Sequence, residues 1–220
     1  MKKKLVIFGT DIIAKMVYLL FARDSDFEIV AFTVDQKYLN VDVFFNLPVV
    51  PFENVPELYP PSDFEMFIAI GPSKMNVNRA NKCTQAKSLG YKLASYISPY
   101  AICDSEIGEN TIVADYAIIH PYVKIGDNNG FWEQCFIAND TVIGNNCWFS
   151  PKSVVSTFAE VNDNTILGTG SIVKTSIKIA KKTLVGAASY ISANTEENGV
   201  YGEKTTSYYG NISEKINISL

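Results

Sequence analysis

The sequence predicts two architectures in series: an α/β parallel-sheet domain over residues 1–97 and a parallel β-helix over residues 98–196, followed by a tail at 197–220. Two observations carry this. From Ile107 to Ile191 an aliphatic or aromatic residue falls at every sixth position, fifteen times without a slip. Before that point, apolar runs alternate with segments of helical length.

In the first region, residues 5–8, 29–34, 66–70 and 93–97 read as strands and residues 11–23 and 73–89 as helices. The second helix is opened by Ser73 after Pro72 and closed by Gly90. Such alternation implies βαβ units and a parallel sheet. The first turn, Phe8-Gly9-Thr10-Asp11-Ile12-Ile13-Ala14, keeps only Gly9 and the small Ala14 of the three small positions that a dinucleotide-binding turn uses, which argues against tight pyrophosphate binding. A nucleotide can still lie at this crevice, because a helix N-terminus favours anions. Asp35, just beyond the second strand, is placed either to accept hydrogen bonds from a ribose or base or to cap a loop. Gly71, in Ala69-Ile70-Gly71-Pro72, ends the third strand on the same side of the sheet.

In the second region the period itself decides the fold. A helix repeats near 3.6 residues and a strand at 2, so a strict six requires a unit in which short strands alternate with turns. The hexapeptide-repeat β-helix is that unit. Four residues after each beat comes another, mostly small residue, such as Ala117, Cys135 and Ser153, which suits a tighter inward position at a corner; Asn129 and Ile177 strain this rule. Three hexads make a coil of about 18 residues, so five coils stacked at the spacing of paired strands give a prism about 24 Å tall. A sandwich, with strands at period 2 and turns every 8–12 residues, does not generate this pattern. Beyond Ile191 the period fades, and residues 198–220 are expected to cover the open end of the prism, whose strand edges would otherwise invite aggregation.

With 47% hydrophobic and 19% charged residues, 220 residues suffice for two modest domains. A net charge of -4 argues against non-specific nucleic-acid binding. The Met1-Lys2-Lys3-Lys4 start imitates a secretory signal, but Asp11 and Lys15 interrupt the apolar run that follows. No stretch has the roughly 20 apolar residues of a membrane span. Cys83, Cys103, Cys135 and Cys147 lack paired metal spacing and read as reduced core thiols of a cytoplasmic protein, with no metal site expected. The triplets starting at Asn139, Asn211 and Asn217 match the glycosylation pattern, but without an export signal they read as chance.

The hexads, together with Val6-Ile7-Phe8-Gly9-Thr10, Val30-Ala31-Phe32-Thr33-Val34-Asp35, Leu47-Pro48-Val49-Val50-Pro51-Phe52 and Tyr96-Ile97-Ser98-Pro99, carry a resemblance over nearly the whole chain. This order of domains resembles the hexapeptide-repeat sugar acyltransferases of the sialic-acid O-acetyltransferase and bacillosamine N-acetyltransferase type. The resemblance implies a Rossmann-like domain that holds a nucleotide-linked sugar, then a left-handed parallel β-helix. It also implies a homotrimer with acetyl-CoA, the cosubstrate, in the grooves between prisms, acting in surface glycan synthesis. Gly9, Thr10, Asp11, Asp35 and Gly71 become candidate substrate contacts. Gly168, Gly170, Gly186 and Ala187 would keep side chains away from a pantetheine arm, and Lys181 and Lys182 would meet the CoA phosphates.

In such enzymes the base is a histidine at the third place of a middle hexad, and alignment of the hexads puts Asn139 there. An amide does not protonate near neutral pH, so three readings stay open. An amine acceptor can attack as the free base while Asn139 or Asp140 orients it, which favours amine over hydroxyl acylation. His120, the single histidine of the chain, can take the proton, since imidazole in general suits base chemistry near neutral pH; otherwise it is a solvent-facing turn residue before Pro121. Or the chain is an inactive trimeric sugar-nucleotide-binding or scaffold protein. Thr157, one coil above Asn139, is placed to offer its backbone N–H as an oxyanion donor. Trp132 and Glu133 precede the site; Trp132 reads as packing rather than a substrate platform, though a trimer groove could use both. A metal-dependent hydratase on the same prism would need several histidines.

Overall fold

A computed structural model describes residues 2–202. In chain order the first region comprises β1 (Lys3–Phe8), α1 (Ile12–Asp24), β2 (Phe27–Val34), β3 (Val43–Phe44), β4 (Leu47–Pro51), α2 (Val55–Leu58), β5 (Phe64–Ile68) and α3 (Val77–Ser88), with short 3-10 turns at Gln36–Tyr38 and Phe52–Asn54. The sheet runs β3-β4-β2-β1-β5, parallel except for the β3–β4 hairpin. That hairpin turns on Phe45 and Asn46, both in the left-handed region at φ 49° and 60°, the dihedrals that suit the right-handed twist of the flanking strands. A phenylalanine at such a position gives no turn signal, which is why sequence pattern misses β3.

Two expected elements are corrected. The helix read as 73–89 begins at Val77, because Lys74, Met75 and Asn76 all take left-handed dihedrals that cannot continue into an α-helix. The strand read as 93–97 is split: Leu93 makes one parallel bridge to Met66, whereas Tyr96–Ile97 pairs with Ile112–Val113. The second architecture therefore begins inside the span expected to belong to the first.

From Tyr96 onward, two-residue strands wind into three parallel sheets of seven, six and four strands. Gly130 pairs with Trp148 and Trp148 with Ile166, so one coil takes eighteen residues. The end coils are tighter at sixteen, with Ile97 opposite Val113 and Val185 opposite Tyr201. Val113, Phe131, Phe149, Leu167 and their counterparts on the other sheets point inward and form a single buried core. Asn129, which strained the small-residue rule, is buried and fully used: its amide donates to the carbonyls of Gly126 and Gly144 and accepts from the N–H of Cys147. Ile177 packs against the same core.

Each corner holds one residue at φ near +60°, and most are not glycine: Tyr116, Gln134, Lys152 and Phe158 all adopt it. An L-residue there costs about 1–2 kcal/mol, so the ladder hydrogen bonds and the core offset that strain at every corner. The last strand, Val200–Tyr201, belongs to the seven-stranded sheet, so the prism runs past residue 196. Of the end-covering tail expected at 198–220, residues 203–220, with Asn211 and Asn217, lie outside the described residues.

The three outer faces of the prism differ. The seven-stranded face carries Ile112 and Trp148, which pack with Phe21, Phe67 and Ala69 of the first domain; it is the docked face. The six-stranded face shows Ile102, Ile118, Phe136, Val154, Ile172 and Tyr190 outward, an unbroken apolar stripe. The four-stranded face shows Lys124, Val142, Glu160 and Lys178. The first domain grips both edges of its docked face. On one side Arg23 of α1 makes paired hydrogen bonds of 2.7 and 3.0 Å to Asp115. On the other, Asn76 and Arg79 donate to the carbonyls of Asn146 and Asn128, and Lys87 pairs with Glu109 and Asp127.

Candidate functional site

The C-terminal ends of β1, β2 and β5 open into a crevice of about 710 Å³ at the point where the strand order reverses, with α3 as its far wall. Open parallel sheets bind ligands at such a point. Gly9, Thr10, Asp11 and Asp35 line it. Gly71 does not; its Cα faces Ile13, 3.3 Å from where a Cβ would sit. Gly9 is required by the backbone: at φ +123°, an added Cβ would lie 2.7 Å from the Ala69 carbonyl, so β1 and the end of β5 could not approach.

Asp11 turns inward on its own helix. Its carboxylate accepts from the N–H groups of Ile13 and Ala14 and caps α1. The anion-favouring helix N-terminus is thus already occupied by a side chain. Asp35 makes no cap. It accepts from the ammonium of Lys82, which is buried, 4.2 Å from the centroid of Phe52 and 4.8 Å from that of Phe8. Sequence reasoning passed over Lys82 and its neighbours. The signal was there: Lys74, Asn78, Asn81, Lys82 and Gln85 recur at helical spacing and all line the crevice.

On the prism, His120, Asn139, Asp140 and Thr157 share one edge in three successive coils, between the apolar and the charged faces. Thr157 stands one coil above Asn139, since Ile137 pairs with Val155 below the same corner. This edge lies opposite the docked face, so within one chain the crevice and these four residues are on different sides of the prism. Asn139 is half-buried, and its amide donates to the exposed Asp140 carboxylate at 2.6 Å. His120 is half-buried with its ring edge-on to Phe136 at 5.0 Å. Among the described residues the backbone N–H of Thr157 has no acceptor.

The cofactor candidates fall elsewhere. Gly168, Gly170, Gly186 and Ala187 occupy the edge between the docked and apolar faces, and Lys181 and Lys182 the edge between the charged and docked faces. An added Cβ at Gly168 would come 2.6 Å from the Ala187 nitrogen, so this glycine is needed for coils to stack, whereas around Gly170 nothing lies within 4 Å. Lys181 pairs with Asp163 at 3.6 Å. Trp132 is buried against Trp148 at the domain junction, 5.0 Å between ring centroids. Glu133 sits at the neighbouring corner, where its carbonyl accepts from the N–H of Lys152.

Burial disfavours the thiolate form of all four cysteines. Burial pushes Cys83 and Cys147 up to about 12 and Cys135 to about 11, and all four cysteines are free. Among the described residues, no group of three or more potential ligands could hold a metal ion. No helix among them is long and apolar enough to cross a membrane.

No protein-family model matches the sequence, and no curated protein is similar to it. Solved structures are similar along its length. The acetyltransferase domain of PglB from Neisseria gonorrhoeae, in complex with acetyl coenzyme A, superposes with a TM-score of 0.83 at 21% identity, covering 92% of this chain and 97% of that one. PerB from Caulobacter crescentus, in complex with CoA and GDP-perosamine, gives 0.80 at 23% identity, covering 91% and 94%. WeeI from Acinetobacter baumannii gives 0.70 at 22%, covering 90% and 94%. At these identities the likeness establishes the fold: an α/β domain followed by a left-handed parallel β-helix in the same order.

Proposed function

We propose that this chain is an acetyl-CoA-dependent acyltransferase that acetylates the amine of a nucleotide-linked sugar, working as a homotrimer in the cytoplasm in the synthesis of surface glycans. The observation that carries the reading is the whole-length likeness, both domains in order, to structures solved with acetyl-CoA or with CoA and a nucleotide sugar. A perosamine N-acetyltransferase with a histidine-to-asparagine replacement is also among the similar structures, and it too holds CoA and GDP-perosamine. An asparagine in place of a histidine is therefore compatible, in that protein, with binding both ligands. The free cysteines fit a reducing compartment.

The trimer is supported by the apolar stripe from Ile102 to Tyr190 and by the separation of the candidate residues. The crevice and the Asn139 edge of one chain lie on opposite sides of its prism, so a neighbouring copy has to bring a crevice to that edge. The same holds for the open space at Gly170, on a third line of the prism. With three copies around an axis, each groove would combine the Asn139 edge of one chain with the Gly170 edge of the next.

In that groove the amine attacks the thioester carbonyl as its free base. A nitrogen–carbon bond forms, the carbon–sulfur bond breaks, and the ammonium proton passes to water or to the departing thiolate. The Thr157 N–H, which has no acceptor among the described residues, stabilises the oxyanion. The Asp140 carboxylate holds the Asn139 amide by its NH₂, leaving the amide oxygen to accept a hydrogen bond from the amine. His120, two residues before the corner that Asp140 occupies one coil higher, is the alternative proton acceptor.

The test is thiol release from acetyl-CoA against a panel of nucleotide amino sugars, with Asn139→Ala and His120→Gln alongside the native chain. Turnover that tolerates His120→Gln within a few-fold supports free-amine attack; its loss relocates the base to His120. No turnover with any acceptor, and no acetyl-CoA binding by calorimetry, would replace this reading by a non-catalytic sugar-nucleotide-binding trimer.

A further inference from the structure

Between the first domain and the docked face lies Arg79, 5% exposed, whose guanidinium pairs with no carboxylate among the described residues. One terminal nitrogen donates to the carbonyls of Asn128 at 2.8 Å and Cys147 at 3.3 Å, and the guanidinium lies 5.1 Å from the ring centroid of Trp148. Burial lowers its pKa to about 10, an effect that Cys83 and Cys147 partly offset. Among the described residues no salt bridge includes it. A charge taken out of water without a partner is strongly unfavourable, and buried charges are normally paired.

Two fully enclosed donors lack an acceptor at the same place: Arg79 Nε and Trp132 Nε1. Both residues line a cavity of about 10 Å³, on the order of one water-sized occupant. The two side-chain acceptors of its lining are engaged. Asn110 Oδ1 accepts from the N–H of Ile68, and Asn129 Oδ1 from the N–H of Cys147. Gly130 keeps the space open, because a Cβ there would lie 3.2 Å from Trp132 Nε1 and 3.4 Å from Trp148. The lining thus offers a net positive charge and two N–H donors, with its side-chain oxygens already spoken for.

We propose that this junction is a binding site for one small monovalent anion of the halide class, held by Arg79 Nε and Trp132 Nε1, which neutralises Arg79 and locks the first domain onto the prism. A water molecule would satisfy the two donors but would bring two protons to a site whose side-chain acceptors are taken, and it would leave the charge unmatched. The proposal is independent of the transferase reading, because none of these residues lines the crevice or belongs to the Asn139 edge.

The experiment uses the full chain. Crystals soaked in sodium bromide should give an anomalous peak within hydrogen-bonding reach of both nitrogens. The thermal midpoint should rise on the order of 4 °C from sodium gluconate to sodium chloride at equal ionic strength, as expected when a ligand binds only the folded state. Gly130→Ala, which fills the space while keeping Arg79 and Trp132, and Trp132→Phe, which deletes one donor, should each remove that difference. Equal midpoints in the two salts with a density peak lacking anomalous signal would overturn the proposal in favour of water. A bromide peak with no chloride dependence in solution would overturn it as binding at crystal concentration only.

Discussion

Arg23 on the first helix and Asp115 on the first full coil meet in a two-pronged hydrogen bond, 2.7 and 3.0 Å, that ties the two domains at one edge of their interface. The guanidinium holds the Asp115 carboxyl below the usual carboxylate range, helped by the hydroxyl of Ser98. Because the folded pKa is depressed, the contribution is complete above the unfolded value near 4 and is lost as pH falls through the folded value.

Replacing Arg23 by Met should therefore lower stability by on the order of 1 kcal/mol at neutral pH, since the pair is partly exposed and solvent screens it. Denaturant unfolding at pH 7 and at successively lower pH below 4 checks this. The native chain and the variant should differ at pH 7 and converge in acid.

Asn110 does more on the opposite edge. It is buried at φ 52°, accepts from the N–H of Ile68, and donates to the carbonyl of Ile68 and to Asn128. Asn110→Ala removes three hydrogen bonds, strands two groups of β5 and strains a left-handed corner. It should cost about 3 kcal/mol, measurable as a lower denaturant midpoint with unchanged slope.

Thr157→Pro deletes one N–H and little else. Pro121 already occupies the same corner place two coils lower, so the backbone there accepts proline. The variant should melt within a few degrees of the native chain, while kcat for acetyl transfer falls by about 10²–10³, the usual effect of losing an oxyanion donor. An unchanged kcat would exclude Thr157 from that role.

Ile172→Glu plants a charge in the middle of the apolar face at a site 41% exposed, where the fold of a single chain does not depend on it. For the proposed trimer, sedimentation should move toward the 24.4 kDa monomer, and turnover should fall at least tenfold, because the proposed groove between copies would be lost.

The prism was legible because each hexad beat is an inward position of a repeating unit, and from Val113 to Ile191 every beat but the half-buried Ile125 is buried as the period demands. The junction was not. Tyr96 reads as the continuation of a strand but pairs with Ile112 across a short coil, and Arg79 reads as one more polar residue of a helix until the prism packs over it. Both depend on contacts distant in sequence, which local pattern does not encode. The grouping of the site candidates was half legible: positions separated by one eighteen-residue coil share an edge, so Asn139 and Thr157 belong together and Gly168 cannot join them. The crevice was found from its glycine turn, while Lys82 and its polar stripe needed a helix whose orientation only the packed sheet decides.

The eighteen-residue winding makes length and direction separable in this molecule. Excising one whole coil would shorten the tower yet leave the α/β head seated over the same sheet and every remaining corner in line. Excising a single hexad would swing everything above the cut by a third of a turn, carrying the Thr157 corner away from the Asn139 line. Insertions and deletions in this chain should accordingly be tolerated in multiples of three hexads and destructive in ones and twos.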